Sequence, residues 1–190
     1  MDYERLWAPW RLEYVAGGKD ETANEPPDAV RDAVGDPRQF LVDADPKCFL
    51  CRDVARHEDG PAADRTHRVV HHSAHTVTVL NIYPYNNGHL LIAPRRHKSR
   101  LSELTDEEQL EIQQRIAVTT DLLEQGMKAD GFNIGLNLGR AAGAGLPGHL
   151  HWHVVPRWHG DSNFMPTLAG VRVIPQSLDA LWEWLSTELA

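Results

Sequence analysis

The chain has 190 residues, a formal net charge of −8 at pH 7 and 42% hydrophobic residues. That length suits one domain with a sizeable core plus an appendage. The acidic balance lacks the basic footprint of a non-specific nucleic-acid binder, and no apolar run nears the ~20 residues of a membrane helix.

The start, Met1-Asp2-Tyr3-Glu4-Arg5, has neither the basic head nor the apolar stretch of a signal peptide. The expected setting is the cytoplasm, with neither nucleic acid nor membrane as partner. Residues 2–16 are aromatic-rich and interrupted by Pro9, and 17–46 are rich in Asp, Ala, Pro and Gly. The spacing there predicts a flexible connector with one helical turn around 28–34. Residues 1–46 therefore read as an aromatic segment plus connector, and 47–190 as the folded domain. Trp7 and Trp10 have two readings: they fill a groove on their own core, or they cover a cleft of a neighbouring subunit.

The only cysteines, Cys48 and Cys51, stand in Cys-Phe-Leu-Cys. A structural disulfide does not suit a cytosolic chain, which leaves a redox pair or half of a metal site. Nothing around them has the strand-then-helix pattern of thioredoxin-like proteins, so metal is favoured. Two thiolates cannot close a tetrahedral zinc site, and His is the abundant candidate for the other two ligands.

Further on, 67–72 and 76–82 alternate as a hairpin pair, and 88–94 is a third short strand. Thr105-Asp106-Glu107-Glu108 caps a long helix reaching Met127, with apolar positions at Leu110, Ile112, Ile116, Val118, Leu122 and Leu123. Residues 131–138 form a fourth strand. Ser177–Leu189 closes the chain as a helix with Leu178, Leu181, Trp182 and Leu185 on one face. The pattern predicts an α+β fold, an antiparallel sheet of about five strands with one long helix and a C-terminal helix.

Between these last elements lies the most informative segment, Gly148-His-Leu-His-Trp-His-Val-Val-Pro-Arg157. On a strand, His149, His151 and His153 line one face at steps of about 6.7 Å, while Leu150, Trp152 and Val154 face the core. Three imidazoles on one face can bind a metal, move protons or attack an electrophile; the local alternative is a three-His metal site. The preceding loop, Gly139 to Gly148, is rich in glycine, so its backbone N–H groups can approach phosphate oxygens closely. Lacking a Lys-Ser/Thr pair, it is no Walker loop.

The order His-apolar-His-apolar-His-apolar-apolar resembles the signature of the histidine-triad (HIT) superfamily of nucleotide hydrolases and transferases. The resemblance runs from about Cys48 to Trp158. Asn81 through Leu90 (Asn-Ile-Tyr-Pro-Tyr-Asn-Asn-Gly-His-Leu) is similar to the nucleoside-binding strand pair, and Asn137-Leu138-Gly139 to the segment that wraps phosphates. Leu6-Trp7-Ala8-Pro9-Trp10-Arg11 and Pro156-Arg157-Trp158 are similar to the zinc-containing bacterial branch that cleaves diadenosine tetraphosphate.

By that resemblance His151 is the nucleophile, taking up a nucleotidyl group from the α-phosphorus. His153 donates a hydrogen bond to a phosphate oxygen, and His89 supports the cluster or is merely a satisfied neighbour. Asn81 contacts ribose. Asn137, the amides of Gly143 and Gly145, and Arg140, whose bland reading is a solvated loop residue, contact phosphate. The same resemblance completes a structural zinc site with Cys48, Cys51, His97 and His149, and implies a homodimer. His57, His67, His71, His72, His75 and His159 take no role.

Three functions compete. The first is cleavage of a dinucleoside polyphosphate through a nucleotidyl-histidine, by hydrolysis or, with phosphate as acceptor, as a diadenosine tetraphosphate phosphorylase. The second is nucleoside phosphoramidate hydrolysis. The third, non-enzymatic, is a zinc-stabilised nucleotide-binding module. By the same resemblance, phosphorylases carry a Ser in this loop and a Glu just before the triad where this chain has only Gly145 and Gly148, which favours water slightly over phosphate.

Overall fold

Alternating apolar residues on either side of Ser73 fold back on one another as β1 (Val69–His72) and β2 (Thr76–Leu80), paired antiparallel. β1 starts later than the alternation predicts, because Arg68 adopts a left-handed φ of 60° and turns the chain before it. β3 (Leu90–Pro94) pairs with β2, β5 (Trp152–Arg157) with β3, and β4 (Gly131–Leu136) with β5, all antiparallel. The order is β1-β2-β3-β5-β4, an open five-stranded sheet. The computed structural model describes residues 40–56, 65–162, 165 and 173–189. The expectations for Trp7, Trp10, His57 and the connector up to residue 39 lie outside the described residues.

β3 is an unbroken apolar run because both of its faces are covered. Leu90 and Ile92 join Val70, Leu80, Leu150 and Val154 beneath two helices, α2 (Asp106–Met127) and α3 (Leu178–Glu188). Leu91 and Ala93 join Val69, Val77 and Val79 on the opposite face, under Cys48, Leu50, Cys51 and Val54. These last residues belong to a helix the sequence reading did not anticipate, α1 (Phe49–Arg56). Residues 40–46, expected as the end of a loose connector, pack onto the body instead. Phe40 and Ala44 contact the α1 cluster, and Lys98 pairs with Asp43 at 2.6 Å.

α2 starts where its cap predicts. Thr105 accepts from the Glu108 N–H, and the Glu108 carboxylate accepts in return from the Thr105 N–H at 2.8 Å. Ile112, Ile116 and Leu123 are buried, but Leu110 and Val118 are 60% and 50% exposed, a departure from the expected apolar face. Glu111, Arg115 and Thr119 share the inward side, where Glu111 accepts from Ser73, Thr76 and the His75 N–H. α3 begins on the expected Ser177 cap and buries Leu181 and Leu185.

Glu108 also grips Arg96 with both oxygens at 2.6 Å, fixing the backbone next to His97. Its side chain is almost wholly buried, whereas that of Arg96 is 37% exposed. Replacing Glu108 by alanine removes a cap and strands a half-buried guanidinium, a cost of about 2–3 kcal/mol after allowing for solvent screening. Urea denaturation checks this expectation; a loss below about 0.5 kcal/mol contradicts it.

Candidate active site and metal centre

β5 begins only at Trp152, so His149 and His151 lie in the extended segment leading into it and His153 within it. The predicted alternation holds: Leu150 and Val154 are buried under the helices, and the three histidines face the α1 side. His149 and His151 are 1% and 6% exposed. The segment is tied to the stretch after β3 by Leu150, whose N–H donates to the Lys98 carbonyl at 2.7 Å.

Hydrogen bonds fix which nitrogen of each ring carries the proton. A carbonyl can only accept, so the 2.8 Å contact of His151 Nδ1 with the His149 carbonyl places the proton on Nδ1. Nε2 of His151 then keeps its lone pair. Burial disfavours the imidazolium and holds His151 below the usual histidine range, so it is neutral at pH 7.

His153 is set by a longer relay. The Tyr85 N–H donates to Nδ1 of His89 at 3.0 Å. Asn81, whose Oδ1 accepts from the Tyr83 N–H, turns its amide N–H toward the same Nδ1 at 3.2 Å. Nδ1 of His89 is therefore an acceptor, and Nε2 carries the proton toward Nδ1 of His153, 2.9 Å away. His153 in turn carries its proton on Nε2. The ring centroids of His151 and His153 stand 5.2 Å apart, edge to face at 65°.

His89 is buried, and that burial, reinforced by His153 and His151, pushes its pKa down to about 3. A depressed histidine stabilises the fold fully above the unfolded value near 6.5, and that contribution is lost as pH falls from 6.5 toward 3. Below 6.5 the His89→Gln variant should lose stability with pH less steeply than the native chain, by up to about 1.4 kcal/mol per pH unit. Denaturation at pH 7 and pH 5 measures the difference, and parallel slopes would refute it. Comparison with the variant cancels changes common to both chains.

Asn137 follows β4 one residue beyond the pair Leu136↔Trp152. Leu136 packs with the helix-side core, so alternation puts Asn137 on the triad face opposite His151. Gly139 and Gly143 have φ of 80° and 87°, which suits glycine and closes the loop tightly. Three of its amides are consequently spent inside: the Gly143 N–H donates to the Arg140 carbonyl, and the Ala142 and Ala144 N–H groups to that of Gly139. The Gly143 amide, expected to meet phosphate, is thus turned into the loop. Gly145 and Arg140 are exposed on its surface.

Cys48, Cys51, His97 and His149 converge, their ligand atoms all within 4.8 Å of one another. Nδ1 of His149 lies 3.3 Å from the Cys48 sulfur and 3.6 Å from that of Cys51, and Nδ1 of His97 lies 3.2 Å from Cys51. A zinc tetrahedron with ordinary bond lengths puts S and N about 3.6 Å apart. Nε2 of His149 donates to the Pro94 carbonyl at 2.8 Å, which frees Nδ1 as a ligand and orients the ring. The hydrogen bond from the Cys48 thiol, helped by His149, lowers Cys51, while its bond to Cys51 and burial raise Cys48. The donor set fits a closed metal site. Beside it, a Cβ on Gly148 would stand 3.2 Å from Nε2 of His97, so that position has little room for a side chain.

Of the histidines without an expected role, His67 pairs with buried Asp53 at 3.3 Å and His159 with Asp130 at the surface. A cavity of about 640 Å³ lies between the end of α2, the segment after β5 and α3; Trp158 and Trp184 line it, and no triad residue does. Sequence reasoning missed Tyr85, whose ring stacks on His153 at 5.6 Å and 17°. An aromatic four residues before His89 was the available signal, shared with Tyr83 two residues earlier.

An antiparallel sheet presenting three histidines in alternation, two buried and one half-buried, beside a Cys₂His₂ cluster defines a histidine-triad protein. The sequence matches the HIT domain over residues 63–160, and the chain belongs to that family. It is 37% identical over 187 residues to a Mycobacterium tuberculosis protein named AP-4-A phosphorylase, covering 98% of this chain and 85% of that one. It is 33% identical over 94 residues to a Saccharomyces cerevisiae bis(5'-adenosyl)-triphosphatase, 49% of this chain and 45% of the relative. Among solved structures, a zinc-bound histidine-triad family protein from Mycobacterium smegmatis superposes with a TM-score of 0.55 at 30% identity, covering 75% of this chain and 93% of that one.

Proposed function

We propose that this protein is an enzyme that cleaves a dinucleoside polyphosphate of the diadenosine tetraphosphate type at an α-phosphate, through a nucleotidyl-histidine. The observation that carries the reading is the placement of His151, whose Nδ1 is bound to the His149 carbonyl and whose Nε2 is left to attack, with its ring centroid 5.2 Å from that of His153, whose Nδ1 is taken by His89. Nε2 of His151 attacks the α-phosphorus; the P–N bond forms as the bond to the bridging oxygen breaks, and the distal nucleotide leaves. His153 donates to a phosphate oxygen as charge gathers there. An acceptor then attacks the same phosphorus, the P–N bond breaks, and its electron pair returns to His151. Asn81 and Asn137 border the site as the ribose and phosphate contacts, with Arg140 and the Gly145 amide at the loop surface. The names carried by the two relatives support the substrate class.

Water is the acceptor this loop favours. Gly145 and Gly148 bring no side chain, and the Gly143 and Ala144 amides are engaged within the turn, which leaves few donors for inorganic phosphate. Phosphorolysis is the second reading, favoured by the name of the M. tuberculosis relative. Incubation with diadenosine tetraphosphate, with and without phosphate, separates the two. AMP together with ATP supports hydrolysis; phosphate-dependent ADP together with ATP supports phosphorolysis; no turnover of any dinucleotide, with an adenosine phosphoramidate cleaved instead, overturns the substrate class.

The metal is zinc, matching both the donor set and the zinc-bound structural neighbour. A closed Cys₂His₂ site crosslinks α1, the end of β3 and the triad segment and leaves no position for substrate. Both thiols are free, which suits a reducing, cytoplasmic setting. No helix among the described residues is long and apolar enough to cross a membrane. The protein pairs as a homodimer: β4 is an edge strand, and Ile134 on it and Leu138 just beyond it are nearly half exposed.

A further inference from the structure

We propose that Tyr85 is a positioning residue for His153, setting its tautomer through the backbone N–H and holding its ring through the phenol face. This rests on the reading of His153 as a donor given above. Tyr85 meets the relay twice. Its N–H is one of two donors that force Nδ1 of His89 to accept. Its ring lies nearly parallel to that of His153, with centroids 5.6 Å apart, and 4.7 Å from the ring of His89.

Chain geometry explains how one residue does both. The loop between β2 and β3 returns over the sheet end: the Asn81 N–H donates to the His89 carbonyl and the His89 N–H to that of Asn86. Asn86 anchors the loop to β5 by donating to the Pro156 carbonyl and to Asp161 at 3.1 and 2.8 Å. Tyr85 is thereby held between the two histidines it touches. It remains 42% exposed, so the packing of a core does not explain its place. It forms the outer wall of the imidazole pair.

An imidazole can flip about its Cβ–Cγ bond, and a flipped His153 would present carbon where the Nε2–H should be. The hydrogen bond from His89 resists the flip on one side only. A stacked ring keeps the plane of His153 fixed and keeps water from its face. The tautomer depends on the backbone N–H of Tyr85 and on Asn81, whereas the orientation depends on the phenol ring. The two contributions are separable by mutation.

The test uses the full metal-loaded protein and three variants, Tyr85→Phe, Tyr85→Ala and Tyr85→Pro. In ¹⁵N histidine spectra without ligand, the native chain should show His153 protonated at Nε2. Tyr85→Ala should keep that tautomer with broadened signals, and Tyr85→Pro, which lacks the N–H, should shift it toward a mixture. With diadenosine tetraphosphate, Tyr85→Ala should lower kcat by about three- to tenfold, the scale of one aromatic pair, with KM nearly unchanged. Tyr85→Phe should restore most of the loss. A raised KM with native kcat would make the ring a substrate platform and overturn the proposal. So would native spectra in both Tyr85→Ala and Tyr85→Pro. If the native enzyme turned over no dinucleotide, the substrate reading would fall while the spectra still decided the role of Tyr85.

Discussion

Replacing His151 by alanine should lower turnover by several orders of magnitude while leaving nucleotide binding and the fold in place. The lone pair that attacks phosphorus belongs to that ring, and no neighbour supplies another in the same place: His153 presents a proton, and His149 directs Nδ1 to the cysteines and Nε2 to Pro94. Removing a nucleophile eliminates the covalent route rather than slowing it. Binding survives because Asn81, Asn137 and the loop are untouched. Steady-state rates together with nucleotide titration check this. Turnover within tenfold of native would contradict the assigned nucleophile.

Cys51→Ser should release the metal and lower the melting temperature by roughly ten degrees or more. Cys51 contacts both ligand imidazoles and stands on α1, while His97 follows β3 and His149 leads into β5. One ion therefore joins three segments far apart in sequence, and its binding energy is folding energy. The chemistry should suffer less than the stability, since His151 keeps its own bond to the His149 carbonyl. Metal analysis and thermal melts measure both. Full metal content in the variant would mean that other residues hold the ion.

The strands and the long helix were legible because their periods are strong. Alternation marked β1, β2 and the triad segment, and Thr105 with Glu108 marked the start of α2. The Cys₂His₂ group was legible only in combination, the two thiols from their spacing and the two imidazoles from family resemblance. α1 was not, since eight residues around Cys51 are too few for a period to stand out. Nor was the exposure of Leu110 and Val118, which depends on how α2 lies across the sheet. Composition could not reveal where the Gly143 amide points: the glycine loop reads as a cradle, but the positive φ angles of Gly139 and Gly143 close it on its own carbonyls. Tyr85 escaped notice because its stacking arises only when the loop after β2 folds back over His89.

The most direct measurement of the account is the covalent intermediate. Native protein mixed with diadenosine tetraphosphate, quenched within milliseconds at alkaline pH and digested, should yield one peptide carrying an adenylyl group on His151. The adduct should form and decay at rates that support the steady-state turnover, and it should be absent from His151→Ala. Turnover without any adduct, or an adduct on another residue, would contradict the nucleotidyl-histidine route.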